Sequence, residues 1–334
     1  MKKFIKLLLV LLSGCAFWWN RPSQIFAAET SDSFSVGTVF SEHQTDKSDS
    51  FYDIRWTPGA TDTFGLRITN SADHEKTFTI KMGKARTNAA GSINYTDSLP
   101  ETEAQKYKLA DLVTIAHEVV VPAGSSQTVN GTVAFPNENY HGILIGGLNV
   151  AEEKAPEKKS STVIRNVISY TIPLVLRGDS DTRPAAEIRF DGLEVKQLAA
   201  ESYSVNTKVY SVQPTLLTGA KFKATIVNAD GKTIDSQESQ IDITPETKFD
   251  YPVELKGNYP AGEYKAIVEV THDTRHWNYQ KKFMIDAVQA KKIDALKPQE
   301  NFFQKYLVVL LWAGILMIVL IVSWLFRRKR KKME

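Results

Sequence analysis

The chain has 334 residues, with 41 Lys and Arg against 38 Asp and Glu, a formal balance of +3, and one cysteine. That balance misleads, because four cations precede Ala28 and six follow Phe326, leaving Glu29–Lys305 with 31 cations against 37 acids. An acidic, cysteine-free portion of this size is excluded as a nucleic-acid or polyanion binder and as a disulfide-built scaffold, but can hold two domains with their own cores.

The N-terminus, MKKFIKLLLVLLSGCAFWWNRPSQIFAAET, sets Lys2, Lys3 and Lys6 before an apolar run that leads to Ala27–Ala28. This is the order of a secretory signal, so residues 1–28 are expected to be a signal peptide. Leu12–Ser13–Gly14–Cys15 also resembles a lipoprotein box, in which Cys15 would be lipidated. Cleavage near Ala27 is the reading adopted, because a lipid would duplicate an anchor read at the other end. It places Ile25 three residues before the cut, where Ala is usual.

The portion that follows alternates. TFGLRIT sets Phe64, Leu66 and Ile68 on one face; KTFTIKM does the same with Phe78, Ile80 and Met82, and SQTVNGTVAF with Val129, Val133 and Phe135 around Gly131. Further on, Phe222, Ala224 and Ile226 alternate, then Phe249, Tyr251, Val253 and Leu255, then Tyr264, Ala266, Val268 and Val270. A period of two predicts strands with one buried face. Turn signals TPGA, PAGS, NADGK and YPAGE separate them, so the fold class is all-β, two immunoglobulin-like β-sandwich domains in tandem. One helical turn is predicted at Leu109–Val113. The charged stretch VAEEKAPEKKSST lies between two long apolar strands and reads as the tip of their hairpin. The domain boundary is placed in RGDSDTRPAAE instead, giving domains at 33–176 and 187–287 and a stalk at 288–305.

The chain ends in YLVVLLWAGILMIVLIVSWLF followed by six cations. The 21 residues 306–326 carry no charge and are expected to form a transmembrane helix. Tyr306, Trp312 and Trp324 would sit near the lipid boundaries, with Arg327, Arg328, Lys329, Arg330, Lys331 and Lys332 holding a short tail, 327–334, in the cytoplasm. The expected placement is a single-pass membrane protein with its bulk outside at the cell wall.

Chemistry-bearing constellations are sparse. His272 and His276 are four apart but flank a turn signal, and the sequence holds no HExxH, GxSxG, P-loop or GxGxxG motif. No metal, cofactor or catalytic residue is assigned, and the chain is read as a non-enzyme. The alternative is a cell-wall carbohydrate-active enzyme, since a carboxylate pair can stand in any fold. KARTNAAGSINY gathers Arg86, Thr87, Asn88, Asn94 and Tyr95. Two readings stand: a loop whose Asn and Gly serve turn geometry, or a polar contact surface. Trp277 either packs in the second core or presents its ring to a ligand.

Several stretches, in order, resemble the WxL-interacting proteins of Gram-positive bacteria: FYDIRWTPGATDTFGLRITNSADHEKTFTI, ARTNAAGSINY, YHGILIGGLNV and RNVISYTIPLVL, then YSVQPTLLTGAKFKATI, YPAGEYKAIVEV and HWNYQKKFMI. ITPETKFDYPV departs from the turn usual before that family's Phe/Tyr strand. The resemblance implies two β-sandwiches on an anchored stalk, the first peptidoglycan-binding and the second host-binding. It implies as partners a secreted WxL-domain protein, peptidoglycan and host extracellular matrix; nucleic acid is already excluded by the acidic balance of 29–305.

Overall fold

A computed structural model describes residues 34–95, 101, 105–153, 168–179, 181–197, 202–256 and 258–295, with positions 312, 317, 321 and 324. In chain order the first elements are β1 (Phe34–Val39), β2 (Tyr52–Arg55), β3 (Thr61–Asn70), β4 (Lys76–Lys84), β5 (Arg86–Thr87) and β6 (Ile93–Asn94). The short helix α1 (Leu109–Leu112) leads to β7 (Val113–Ile115), β8 (Glu118–Val121), β9 (Ser126–Ala134), β10 (Ile143–Glu152) and β11 (Ser169–Arg177). Then come β12 (Ile188–Gln197), β13 (Tyr203–Ser211), β14 (Leu217–Asn228), β15 (Thr233–Ile243), β16 (Lys248–Glu254), β17 (Gly262–His272), β18 (Arg275–Ile285) and the helix α2 (Ala287–Ala295).

These elements form two compact units that interleave in sequence. Unit 1 takes 1–84, 107–139 and 146–177; unit 2 takes 85–106, 140–145 and 178–334. In unit 1, sheet β1-β3-β9-β7 faces sheet β2-β11-β10-β4-β8, in which β11 runs parallel to β2. Ring contacts between the sheets fill the core: Tyr52 with Phe64 at 4.8 Å and Phe34 with Phe78 at 4.7 Å. Alternation explains the strands. In β3, Phe64, Leu66 and Ile68 are buried and Thr63 and Arg67 exposed. Gly131 of β9 lies opposite Phe64, and a Cβ there would come within 2.4 Å of the ring, so only glycine lets that ring lie flat on the strand.

Polar side chains tie the ends of unit 1. The Asp53 carboxylate takes Arg177 in a fork, Nε to Oδ1 at 2.9 Å and Nη2 to Oδ2 at 2.7 Å, locking the parallel pair at its close. The Tyr52 hydroxyl donates to the Gly65 carbonyl at 2.6 Å, and burial pushes its ionisation well above the usual tyrosine range. Asn70, fully buried, donates to the carbonyls of His74 and Val121 and accepts from Ala72 N–H at 3.0 Å. Trp56 donates its indole N–H to the Glu138 carbonyl at 2.9 Å and packs on Phe135.

Unit 2 stacks sheet β12-β13-β16 on sheet β15-β14-β17-β18. Its core joins Val205, Val209, Phe222, Ile226, Ile241, Tyr251, Val268 and Ile285, with Phe222 against Tyr251 at 4.2 Å. Ile293 of α2 belongs to the same core, so the first part of the span read as a stalk is packed.

One expectation is corrected. Among the described residues no helix is long and apolar enough to cross a membrane. α2 has nine residues, about 14 Å at roughly 1.5 Å of rise each, against the roughly 30 Å of a bilayer's hydrocarbon layer. It also carries Lys291, Lys292 and Asp294. Within 306–326 only Trp312, Met317, Ile321 and Trp324 are described, each helical. Among the described residues the fold is all-β with two short helices, and the transmembrane helix expected at 306–326 and the single-pass placement with a cytoplasmic C-terminus are not upheld. The segment 1–28 with Cys15, the hairpin tip at 154–162, Tyr306 and Arg327–Lys332 lie outside the described residues.

Candidate functional site

The candidate residues Arg86, Thr87, Asn88, Asn94 and Tyr95 fall on one small hairpin of unit 2. β5 and β6 pair Arg86 with Asn94 and Thr87 with Ile93. Asn88 builds the turn: its side-chain oxygen accepts the N–H of Ala90 at 2.9 Å and of Ser92 at 3.1 Å, while its own N–H reaches the Ser92 carbonyl at 2.9 Å. Such an Asx turn is what Asn in this position supplies. Gly91 holds φ +79, and a Cβ there would meet Ile241 Cγ2 at 2.2 Å. Both the left-handed backbone and the close approach require glycine.

The hairpin is sealed onto the end of β15. The Asp242 N–H donates to the Gly91 carbonyl at 2.7 Å, and the Thr87 hydroxyl donates to the Asp242 carbonyl at 2.8 Å. Thr87 N–H donates to Thr244 Oγ1 and Thr244 N–H donates to Thr87 Oγ1, each at 3.0 Å. Thr244 Oγ1 lies 2.7 Å from Thr247 Oγ1, and the Thr247 hydroxyl donates to the Thr244 carbonyl at 2.9 Å. The three threonines are buried, and every hydroxyl proton in the chain finds an acceptor if Thr244 donates to Thr247.

The structure thus brings these residues together but gives them unequal access. Arg86 and Thr87 are buried; Asn88, Asn94 and Tyr95 are half-buried; Ala89, Ala90 and Ser92 are exposed at the tip. Tyr95 ionises above the usual tyrosine range, first because it is partly buried and then because the Asp242 carboxylate is near. Trp277 stands apart on β18, opposite Val270, with its ring packed against the core. His272 and His276 sit beside the β17–β18 turn, where His272 Nδ1 faces the Asp273 carboxylate at 3.4 Å. Among the described residues no three His, Cys, Asp or Glu side chains gather as a metal site.

Two features were not legible in the sequence. One is the clasp itself, because Thr244 lies 157 residues from Thr87. The other is β15, whose sequence TIDSQESQIDI is polar on both faces over most of its length and so carries little alternation. The only signal was the pair of isoleucines, Ile241 and Ile243, at its close.

No curated protein matches the sequence. Among solved structures, the E. coli chaperone DraB is 14% identical, with 76% of this chain and 96% of that chain covered and a TM-score of 0.27. The Salmonella enterica SafA pilin in complex with the SafB chaperone gives 13% identity over 74% and 96%, with a TM-score of 0.29. The Acinetobacter baumannii CsuC–CsuE chaperone–tip adhesion subunit complex gives 10% over 67% and 92%, with 0.31. Scores of this size carry no argument. The family models do: the peptidoglycan binding domain of WxL Interacting Protein matches 34–152, and the host binding domain matches 159–295. Between them they span most of the chain, and the chain belongs to the WxL-interacting protein family.

Proposed function

We propose that this protein is a non-enzymatic scaffold of the bacterial surface, binding peptidoglycan through residues within 33–176 and host material through residues within 187–287. It holds a secreted WxL-domain protein at the wall. The observation that carries this reading is the ordered pair of family matches, peptidoglycan-binding before host-binding, on a chain built of packed sheets. The physical mode is rigid display. Sandwiches hold their end loops and edge strands in fixed places, and recognition there needs no moving part. The test is co-sedimentation of the full chain with insoluble peptidoglycan, alone and with a secreted WxL-domain protein of the same cell. The scaffold reading expects the chain in the pellet, and the WxL protein there only when the chain is present. A chain that stays in the supernatant, or that releases soluble sugar or peptide from the wall, overturns it.

A further inference from the structure

We propose that β15 is a docking edge for an extended strand of a host protein, held by main-chain hydrogen bonds and by a lysine or arginine set beside Glu238. The proposal rests on the reading that the second half of the chain binds host material, and specifies the ligand as polypeptide.

β15 borders its sheet and pairs along its length with β14 alone. In an antiparallel ladder the main-chain groups face the partner and face away by turns. Asp242 fixes which residues face away, because its N–H and carbonyl are taken on the outer side by Gly91 and Thr87. Counting back by twos through the unbroken register, Gln240, Glu238 and Ser236 point their main-chain groups outward too, as far as the bulge at Ile234. Among the described residues none of these groups has a partner on that side. The open run, Ser236–Gln240, is about 17 Å long at roughly 3.4 Å per residue, room for a strand of about five residues.

The other sheet borders carry protection that the stretch 236–240 of β15 lacks. β2 is covered by Thr45 and His43, whose main chains bond Asp53 and Arg55. β7 and β8 have three and four residues. β1 has six, and its first carbonyl takes the Tyr170 hydroxyl. β12 is bulged between Phe190 and Gly192, β16 contains Pro252, and β18 carries Arg275, Lys281 and Lys282. Short length, cover, bulges, proline and lysine are the devices by which natural sheets refuse another strand. Along 235–240 there is no lysine, no proline and no break in register; the bulge of β15 lies at its start, where Ile234 is the extra residue between Asp235 and Thr233. One end of the same edge already accepts main chain, from the β5–β6 hairpin.

Charge selects the occupant. β15 holds Asp235, Glu238 and Asp242 and no cation. A second copy of β15 would set acid against acid, which disfavours pairing. A strand bearing Lys or Arg gains there instead. Glu238 already meets Lys221 at 2.9 Å, but both are about half exposed, and a surface pair of that kind exchanges readily. A glycan is a poorer fit, because donors and acceptors repeating at about 6.8 Å along a line match another backbone.

The test uses the full chain and its Glu238→Pro variant. Residue 238 turns its N–H to the outside, so proline removes an edge donor without removing a ladder bond. The probes are a ten-residue peptide alternating Lys and Val, the same peptide with Glu for Lys, and the Lys peptide N-methylated at alternate residues. Binding is followed by fluorescence anisotropy and by amide hydrogen exchange. The edge predicts that the Lys peptide binds and slows exchange at Ser236, Glu238 and Gln240. The Glu and N-methyl peptides, and the Glu238→Pro chain with unchanged melting, should each bind at least tenfold more weakly. Equal binding by the proline variant, or slowed exchange elsewhere, overturns the proposal. So does a dimer of the parent chain that the proline variant loses, since the occupant is then a second copy. A parallel arm retains both chains on immobilised host extracellular-matrix proteins. Loss of retention in the variant supports the edge as the host site. Equal retention of both overturns the edge and leaves host binding standing. No retention of either, with the Lys peptide still bound and protecting, overturns the host-binding reading and with it the host occupant, and leaves the edge as a strand-accepting site.

Discussion

Thr87 concentrates three hydrogen bonds, two of them buried, on one small side chain and its own N–H, and it shows how a polar residue can hold a core margin together. Thr87→Val keeps the shape but strands the Asp242 carbonyl and the Thr244 N–H. A buried polar group left unmade costs about 1–3 kcal/mol, so a loss of about 3 kcal/mol is expected in denaturant unfolding, against well under half that for Thr87→Ser. Equal stability of the valine variant would refute the clasp. Tyrosines give a pH expectation. Burial raises the ionisation of Tyr52 above its ordinary value of 10.0, and burial with the Asp235 carboxylate raises Tyr259 likewise. A raised value means the folded chain keeps the proton after the unfolded chain has released it. Stability is then complete below a pH of about 10 and falls as pH rises beyond it. Unfolding midpoints measured from pH 8 to 11 should therefore drop only above about 10, and Tyr259→Phe should flatten that drop. Thr87 and Asn88 were conspicuous in the sequence as polar residues in a polar segment. Whether they face solvent or seal a strand depends on Asp242 and Thr244, far along the chain, and no local pattern carries that.

At the scale of elements, alternation did most of the work wherever one face of a strand is apolar. β3, β4, β9, β14, β16 and β17 each bury the residues that recur at every second place. The same rule is silent for β15, where Asp235, Gln237 and Ser239 face inward at half-burial and are satisfied by tyrosines: Gln237 Nε2 donates to the Tyr251 hydroxyl at 3.3 Å, Ser239 Oγ bonds the same oxygen, and the Tyr259 hydroxyl donates to the Asp235 carboxylate. It is silent also for β5 and β6, two residues each, too short for any period. Gly131 is the clearest case of a strand residue chosen by its neighbour. Gly131→Val would force the Phe64 ring off β9, and overpacking of a filled core costs about 1–3 kcal/mol. The companion change Phe64→Leu should recover part of that loss, because it withdraws the ring atoms the new side chain strikes. A double-mutant cycle with no coupling would mean that the contact does not govern the site.

At the scale of the molecule, the units do not follow the order of the chain. A cut between the two family matches, near residue 158, leaves Ala85–Lys106 and Tyr140–Ile145 on the wrong side, although both belong to unit 2. A fragment of 159–295 would then lack Thr87 and Gly91 against β15. It would also lack Ile143, whose N–H donates to the Pro214 carbonyl at 2.9 Å, and Gly142, which lies so close to Pro214 that a Cβ would come within 2.5 Å. Ile241, fully covered in the intact chain, would lose the backbone that lies over it. Several buried hydrogen bonds at about 1 kcal/mol each are missing together, a large share of the roughly 5–15 kcal/mol by which a domain is stable. The fragment is therefore expected to unfold at a clearly lower denaturant concentration than the same sheets in the full chain. Adding a synthetic peptide of residues 85–95 should raise its midpoint in a concentration-dependent way, as any ligand of the folded state does. The same peptide with Thr87→Val and Gly91→Ala should not. A fragment as stable as the full chain, or indifferent to the peptide, would show that unit 2 completes itself without the hairpin, and the clasp would then be an accessory contact.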